Sequence, residues 1–202
     1  MSIVDRAKNI IMTPKTEWSV IAGEEPNASA IFMSYALPLI LASAAAGFIG
    51  HALIWGSGHY GAFAMKWGLY VAIQTTIMGA LGVWLTAAVV NALAPNFGSE
   101  KNMGRAMQLV IYSMTPAWIG GLLMIIPWIG FIGAIFGIYG LYLIYLGLPV
   151  MMKTPEDKTV SYLVVSIVVL IVIYLIIGWI YRMIFWDMMG FGVMSSSGWM
   201  GM

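Results

Sequence analysis

Few of the side chains able to do chemistry stand inside the long apolar stretches of this sequence. Gln74, Thr75 and Thr76 form a polar triplet in one uncharged run, with Asn91 nearer its end and His51 in the run before it. A Gln-Thr-Thr cluster can line a polar path. The same groups more often bond one membrane helix to another, at about 0.6 kcal/mol each. His51 and His59 offer two imidazoles with no carboxylate near them in sequence, whereas a zinc site takes three or four ligands, so no metal site is read there. Met188, Met189, Met194, Met200 and Met202 carry thioethers of the kind that suit Cu(I). The chain holds 17 methionines in all, so the tail is not singled out as a copper site. There is no cysteine, which excludes thiolate ligands, disulfides and thiol nucleophiles. A phosphate-binding loop, a Ser-His-Asp set, an HExxH motif and paired carboxylates in an apolar run are all missing. The expectation is a protein without catalytic residues, metal or cofactor.

The elements that hold these residues follow from charge spacing. Of 202 residues, 61% are hydrophobic and 8% are charged, with mean hydropathy +0.92. Soluble domains carry about 25% charged residues. Between Glu25 and Lys66 lie 40 uncharged residues; 33 separate Lys66 from Glu100, 47 separate Arg105 from Lys153, and 23 separate Lys158 from Arg182. A membrane-crossing helix needs about 20, so the gaps accommodate one, one, two and one crossings. The expected spans are 31–55, 67–93, 109–126, 128–151 and 160–181, with a tight hairpin at Pro127. The fold class read from this is all-α: an integral membrane bundle of five transmembrane helices, preceded by an interfacial amphipathic helix. Its divisions are 1–30 as a cytoplasmic N-terminal segment, 31–186 as the transmembrane domain and 187–202 as a Met/Gly/Ser-rich tail. A net charge of +1 excludes a nucleic-acid partner.

Orientation follows from the basic residues. With the N-terminus in the cytoplasm, Arg6, Lys8, Lys15, Lys101, Arg105, Lys153 and Lys158 fall inside, and Lys66 and Arg182 outside. Basic residues favour the cytoplasmic loops, so the N-terminus is expected in and the C-terminus out. Trp55, Trp67, Trp128 and Trp179 fall near span ends, where interfacial aromatics gather. A cleaved signal is not expected, because the first apolar run starts only near Ile31. Ile3, Val4, Ala7, Ile10 and Ile11 recur at helical spacing, with Asp5, Arg6, Lys8 and Asn9 on the other side. Such a helix either lies on the membrane face or docks on the bundle ends. Glu24 and Glu25 are read as solvated loop charges or as counter-charges to nearby basic residues.

Thr-Pro occurs at 13–14, 115–116 and 154–155. In the last, Thr154 can cap a helix with Pro155 at its first position and Glu156 and Asp157 facing the positive helix start. Thr115-Pro116 falls inside the third span, where proline removes a backbone bond that Ser113 or Thr115 can replace. Gly133, Gly137, Gly140 and Gly147 follow at steps of four, three and seven, a stripe that admits close approach of another helix.

The run Tyr139-Gly140-Leu141-Tyr142-Leu143-Ile144-Tyr145-Leu146-Gly147-Leu148-Pro149, followed by Met152-Lys153-Thr154-Pro155-Glu156-Asp157-Lys158, resembles the bacterial branch of the Yip1 family. Thr115-Pro116-Ala117-Trp118 and the Pro14 to Trp18 segment fit the same pattern. The resemblance implies five spans and a cytoplasmic N-terminus. It marks Thr115, Pro116, Tyr139, Gly140, Tyr142, Gly147, Pro149, Lys153, Thr154, Pro155 and Lys158 as a signature. Eukaryotic members are linked to vesicle traffic and small GTPases, but the acidic signature before their first span is absent here, and that role is not carried over. The expected function is a non-enzymatic protein of the bacterial inner membrane that organises or assists other membrane components, as a scaffold or accessory subunit. Its surroundings would be the lipid bilayer and a membrane-protein partner or homo-oligomer. The alternative is a small oligomeric permease or channel, with Gln74, Thr75 and Thr76 as its lining.

Overall fold

The computed structural model describes residues 1–54 and 61–188. Trp55, His59 and the tail methionines from Met189 onward lie outside the described residues, and with them the metal readings they prompted. The described residues form helices and no strands. In chain order these are α1 (Ile3–Met12), α2 (Pro14–Ala22), α3 (Ala28–Ile54), α4 (Gly61–Phe97), α5 (Met103–Ile125), α6 (Gly133–Met151) and α7 (Glu156–Met188).

Local chemistry accounts for most of the boundaries. The Ser2 side chain accepts from the Asp5 amide at 3.0 Å and caps α1. Its hydroxyl also hydrogen-bonds the Asp5 carboxylate, which holds that group below the usual carboxylate range. Pro14 has no N–H to continue α1, so the N-terminal segment forms two helices. Asn27 and Asn102 cap α3 and α5 by accepting from the amides of Ala30 and Arg105. Gly98 closes the last turn of α4 at φ +68°, a conformation that glycine reaches without a Cβ clash.

Among the described residues, four helical stretches are long and apolar enough to cross a membrane: Ala28–Ile54, Gly61–Phe97, Met103–Ile125 and Glu156–Ile180. Ile135–Met151 is a shorter apolar helix. The expected fourth span, 128–151, is therefore divided. Ile126 is extended, Pro127–Ile132 winds as a tight 3₁₀ stretch, and α6 begins only at Gly133. A proline disfavours helical conformation in the residue before it, which explains the break at Ile126.

The chain divides into two compact units, 1–163 and 164–202. In the first, α5 is the central element. Every residue from Ala106 to Ser113 is buried, as befits a helix surrounded on all sides. Ile10 of α1, Trp18 and Ile21 of α2, Ile40 of α3, and Leu143 and Leu148 of α6 complete this core, each no more than 1% exposed. In the described part of the second unit, α7 continues to Met188, and its Val164, Val168, Ile171, Leu175 and Trp179 are exposed.

Candidate functional site

The polar residues of the first unit converge where α1 and α2 meet α5. The backbone turn at Thr13 folds α2 back on α1 and brings Glu17 beside Arg6. The Arg6 guanidinium pairs through Nη1 with the Glu17 carboxylate and through Nη2 with that of Glu24. It also lies 5.3 Å from the centroid of the Tyr112 ring on α5. Arg6 is 7% exposed and Glu17 4%. Burial opposes the charge on Arg6; the field of Tyr112 and the carboxylates of Glu24 and Glu17 outweigh it, and the arginine pKa is raised.

Arg105, two residues into α5, supports the same cluster from below. Its Nη1 donates to the carbonyls of Ile21 and Glu24 at 3.3 and 2.9 Å and to Gln108 Oε1 at 3.0 Å. These carbonyls belong to the end of α2 and the turn after it, where the Ile21 carbonyl also accepts from the Glu24 amide at 3.0 Å. Tyr35 of α3 hydrogen-bonds Thr115 at 2.9 Å and meets the Tyr112 ring edge-on with centroids 5.0 Å apart.

This cluster departs from the sequence expectation at Arg6, which helical spacing groups with the polar side of α1 and which is instead buried in the dock on α5. Glu24 pairs with Arg6, in keeping with its reading as a counter-charge to nearby basic residues. The partners are 11 and 18 residues away along the chain, too far for helical periodicity to reveal. The one signal available was Glu17 directly before Trp18, a carboxylate beside the bulkiest apolar side chain of a short helix.

The sequence-predicted site residues distribute over three other places. Thr115 is fully buried beside Pro116 inside α5. Its hydroxyl lies 3.5 Å from the Ile111 carbonyl, while the Ser113 hydroxyl is buried with no hydrogen-bond partner among the described residues. Along α6, Gly140 faces the Ser113 carbonyl, where a Cβ would come within 2.7 Å. Gly147 faces Trp18 and Leu109, and Gly133 faces the Gly120 carbonyl at 3.3 Å. A Cβ at Gly137 would meet nothing within 4 Å, so that member of the stripe lies off the α5 contact. The Tyr139 hydroxyl donates to the Ile11 carbonyl at 2.7 Å, tying α6 to the end of α1, and Tyr142 is exposed. Pro149 lies inside the last turn of α6.

The α6–α7 connection is clipped to the α4–α5 connection. Glu100 N donates to Met152 O at 2.8 Å, the Ser99 hydroxyl donates to that of Thr154 at 2.9 Å, and Lys153 pairs with Glu100 at 2.7 Å. Thr154 thus serves a loop clasp, and α7 begins at Glu156 after Pro155. Lys153 sits at φ 51°, a left-handed conformation rare for a residue with a Cβ. The amide of Lys158 bonds the Pro155 carbonyl in the first turn. Gln74, Thr75 and Thr76 are half-buried on α4, away from the Arg6 cluster in sequence and element; the Thr76 hydroxyl bonds the Ala72 carbonyl within its own helix.

Among the described residues, no group of three or more His, Cys, Asp and Glu side chains could hold a metal ion. The Yip1 domain matches residues 8–180, nearly the whole described chain. The chain belongs to the Yip1 domain family. No characterised protein and no solved structure matches it. Yip1 membership and the four apolar helices together identify a multi-pass membrane protein, from a family not known for enzymes.

Proposed function

We propose that this Yip1-domain protein is a non-enzymatic scaffold or accessory subunit that organises or assists other components of a bacterial inner membrane. The observation that carries this reading is the hydropathy of Glu156–Ile180, whose apolar window averages 3.1. A helix that apolar on all sides is at home among lipid tails or against the helices of another protein.

The reading includes five crossings. The six-residue 3₁₀ stretch Pro127–Ile132 and the 19-residue α6 together rise about 40 Å at 2.0 and 1.5 Å per residue. That exceeds a hydrocarbon core of about 30 Å. Five crossings and the bias of basic residues support a cytoplasmic N-terminus and a C-terminus outside. Residues 1–30 then form the cytoplasmic segment, 31–186 the membrane domain and 187–202 the tail.

Native mass spectrometry after gentle extraction from the source membrane tests the proposal. A stoichiometric complex with a second membrane protein is the expected result. A homo-oligomer free of other chains would overturn it and favour the permease alternative, to be followed by flux measurements on Gln74 variants in proteoliposomes.

A further inference from the structure

We propose that the cavity beside Arg6 binds a small zwitterionic group, an ammonium joined to a phosphodiester as in the ethanolamine headgroup of a phospholipid. The cavity has a volume of about 250 Å³ and is lined in part by Ser2, Arg6, Glu24, Ser34, Tyr35 and Tyr112. Pockets for drug-sized ligands begin near about 300 Å³, so this one suits a headgroup and not a larger molecule.

Its wall is built from buried polar side chains. Arg6 is 7% exposed and Tyr35 and Tyr112 are each 5%. The Tyr35 hydroxyl is engaged by Thr115. The Tyr112 ring lines the cavity, where its hydroxyl can meet a ligand. Arg6 gives one hydrogen bond from Nη1 and one from Nη2 to the two carboxylates, out of five N–H donors in all. Glu24 uses Oε1 for Arg6, and its side chain is 39% exposed, which leaves Oε2 for a cation.

Charge selects the ligand class. Arg6 and Arg105 balance Glu17 and Glu24, and Asp5 balances the Met1 ammonium at the cavity's edge, so the cluster is formally neutral. A net cation or anion would unbalance it at low dielectric. A zwitterion adds no net charge, with its ammonium at Glu24 and its phosphate at the spare Arg6 donors and the Tyr112 hydroxyl.

Membrane phosphatidylethanolamine and a soluble phosphodiester such as glycerophosphoethanolamine share this chemistry. The test is native mass spectrometry of the full chain from nanodiscs containing phosphatidylethanolamine or phosphatidylglycerol, with soluble glycerophosphoethanolamine as a separate arm. We expect one retained ethanolamine ligand per chain, at least tenfold favoured over phosphatidylglycerol. Retention should fall several-fold in Glu24→Gln and Tyr112→Phe. Ser34→Phe should abolish it, since that exposed rim position fills the cavity without touching the ion pairs. Retention in the lipid arm assigns a lipid ligand, and retention in the soluble arm alone assigns a free one. Equal retention of the two lipids with no soluble binding, or undiminished ethanolamine retention in Ser34→Phe, overturns the proposal. Thermal melting of each variant confirms that it is folded.

Discussion

Arg6 and Glu17 form an ion pair across the α1–α2 turn with both side chains more than nine-tenths buried. Breaking such a pair from one side leaves an uncompensated buried charge, at about 3–5 kcal/mol, whereas replacing both partners by apolar residues is often neutral. Arg6→Met alone should therefore lower the melting temperature in detergent by roughly 10 °C. Arg6→Met with Glu17→Met should recover most of that loss. A double variant as unstable as the single one would show that the pair is not what holds the hairpin to α5.

The glycines of α6 separate by their neighbours. Gly140→Ala drives a methyl group against the Ser113 carbonyl, and overpacking of this kind costs about 1–3 kcal/mol. Gly137→Ala meets open space and should be neutral or stabilising by up to about 1 kcal/mol, because alanine favours the helix. Unfolding curves for the two variants should move in opposite directions.

Tyr35→Phe removes the hydroxyl that meets Thr115 and keeps the ring contact with Tyr112. Hydrogen bonds between membrane helices average about 0.6 kcal/mol, and a loss of that order is the expected outcome. A loss above about 3 kcal/mol would mean that the hydroxyl supports more than this bond.

Lys153→Gly tests the loop clasp. The Lys153–Glu100 pair is 69% and 60% exposed, and exposed pairs contribute about 0–1 kcal/mol. The left-handed backbone at Lys153 costs a comparable amount, about 1–2 kcal/mol, that glycine avoids. The variant should melt within a few degrees of wild type. Loss of partner co-purification without loss of stability would then assign the lysine to contact rather than folding.

The helical class and four of the membrane spans were legible because long uncharged runs have one physical meaning: 40 and 47 residues without a charge cannot be kept in water. The division of 128–151 was harder to see. Its hydropathy is continuous, and Pro127 acts on the conformation of Ile126 without changing composition. The Arg6 cluster was illegible for another reason. Polar side chains of α1 look alike along the sequence, and what separates buried Arg6 from exposed Lys8 is the carboxylate that α2 delivers after the turn at Thr13. The glycine stripe could be drawn from spacing, but which members touch α5 depends on the crossing of two helices.

The bond from Tyr139 to Ile11 spans 128 positions, and Gly147 receives Trp18 across a similar distance. Chains are synthesised at about 5–20 residues per second, so the first two helices wait roughly 6–25 seconds for the surface that receives them. Arg6 and Glu17 can find each other at once, being neighbours across one turn. Their pairing cancels the two buried charges of an early hairpin before the surface that seats it exists.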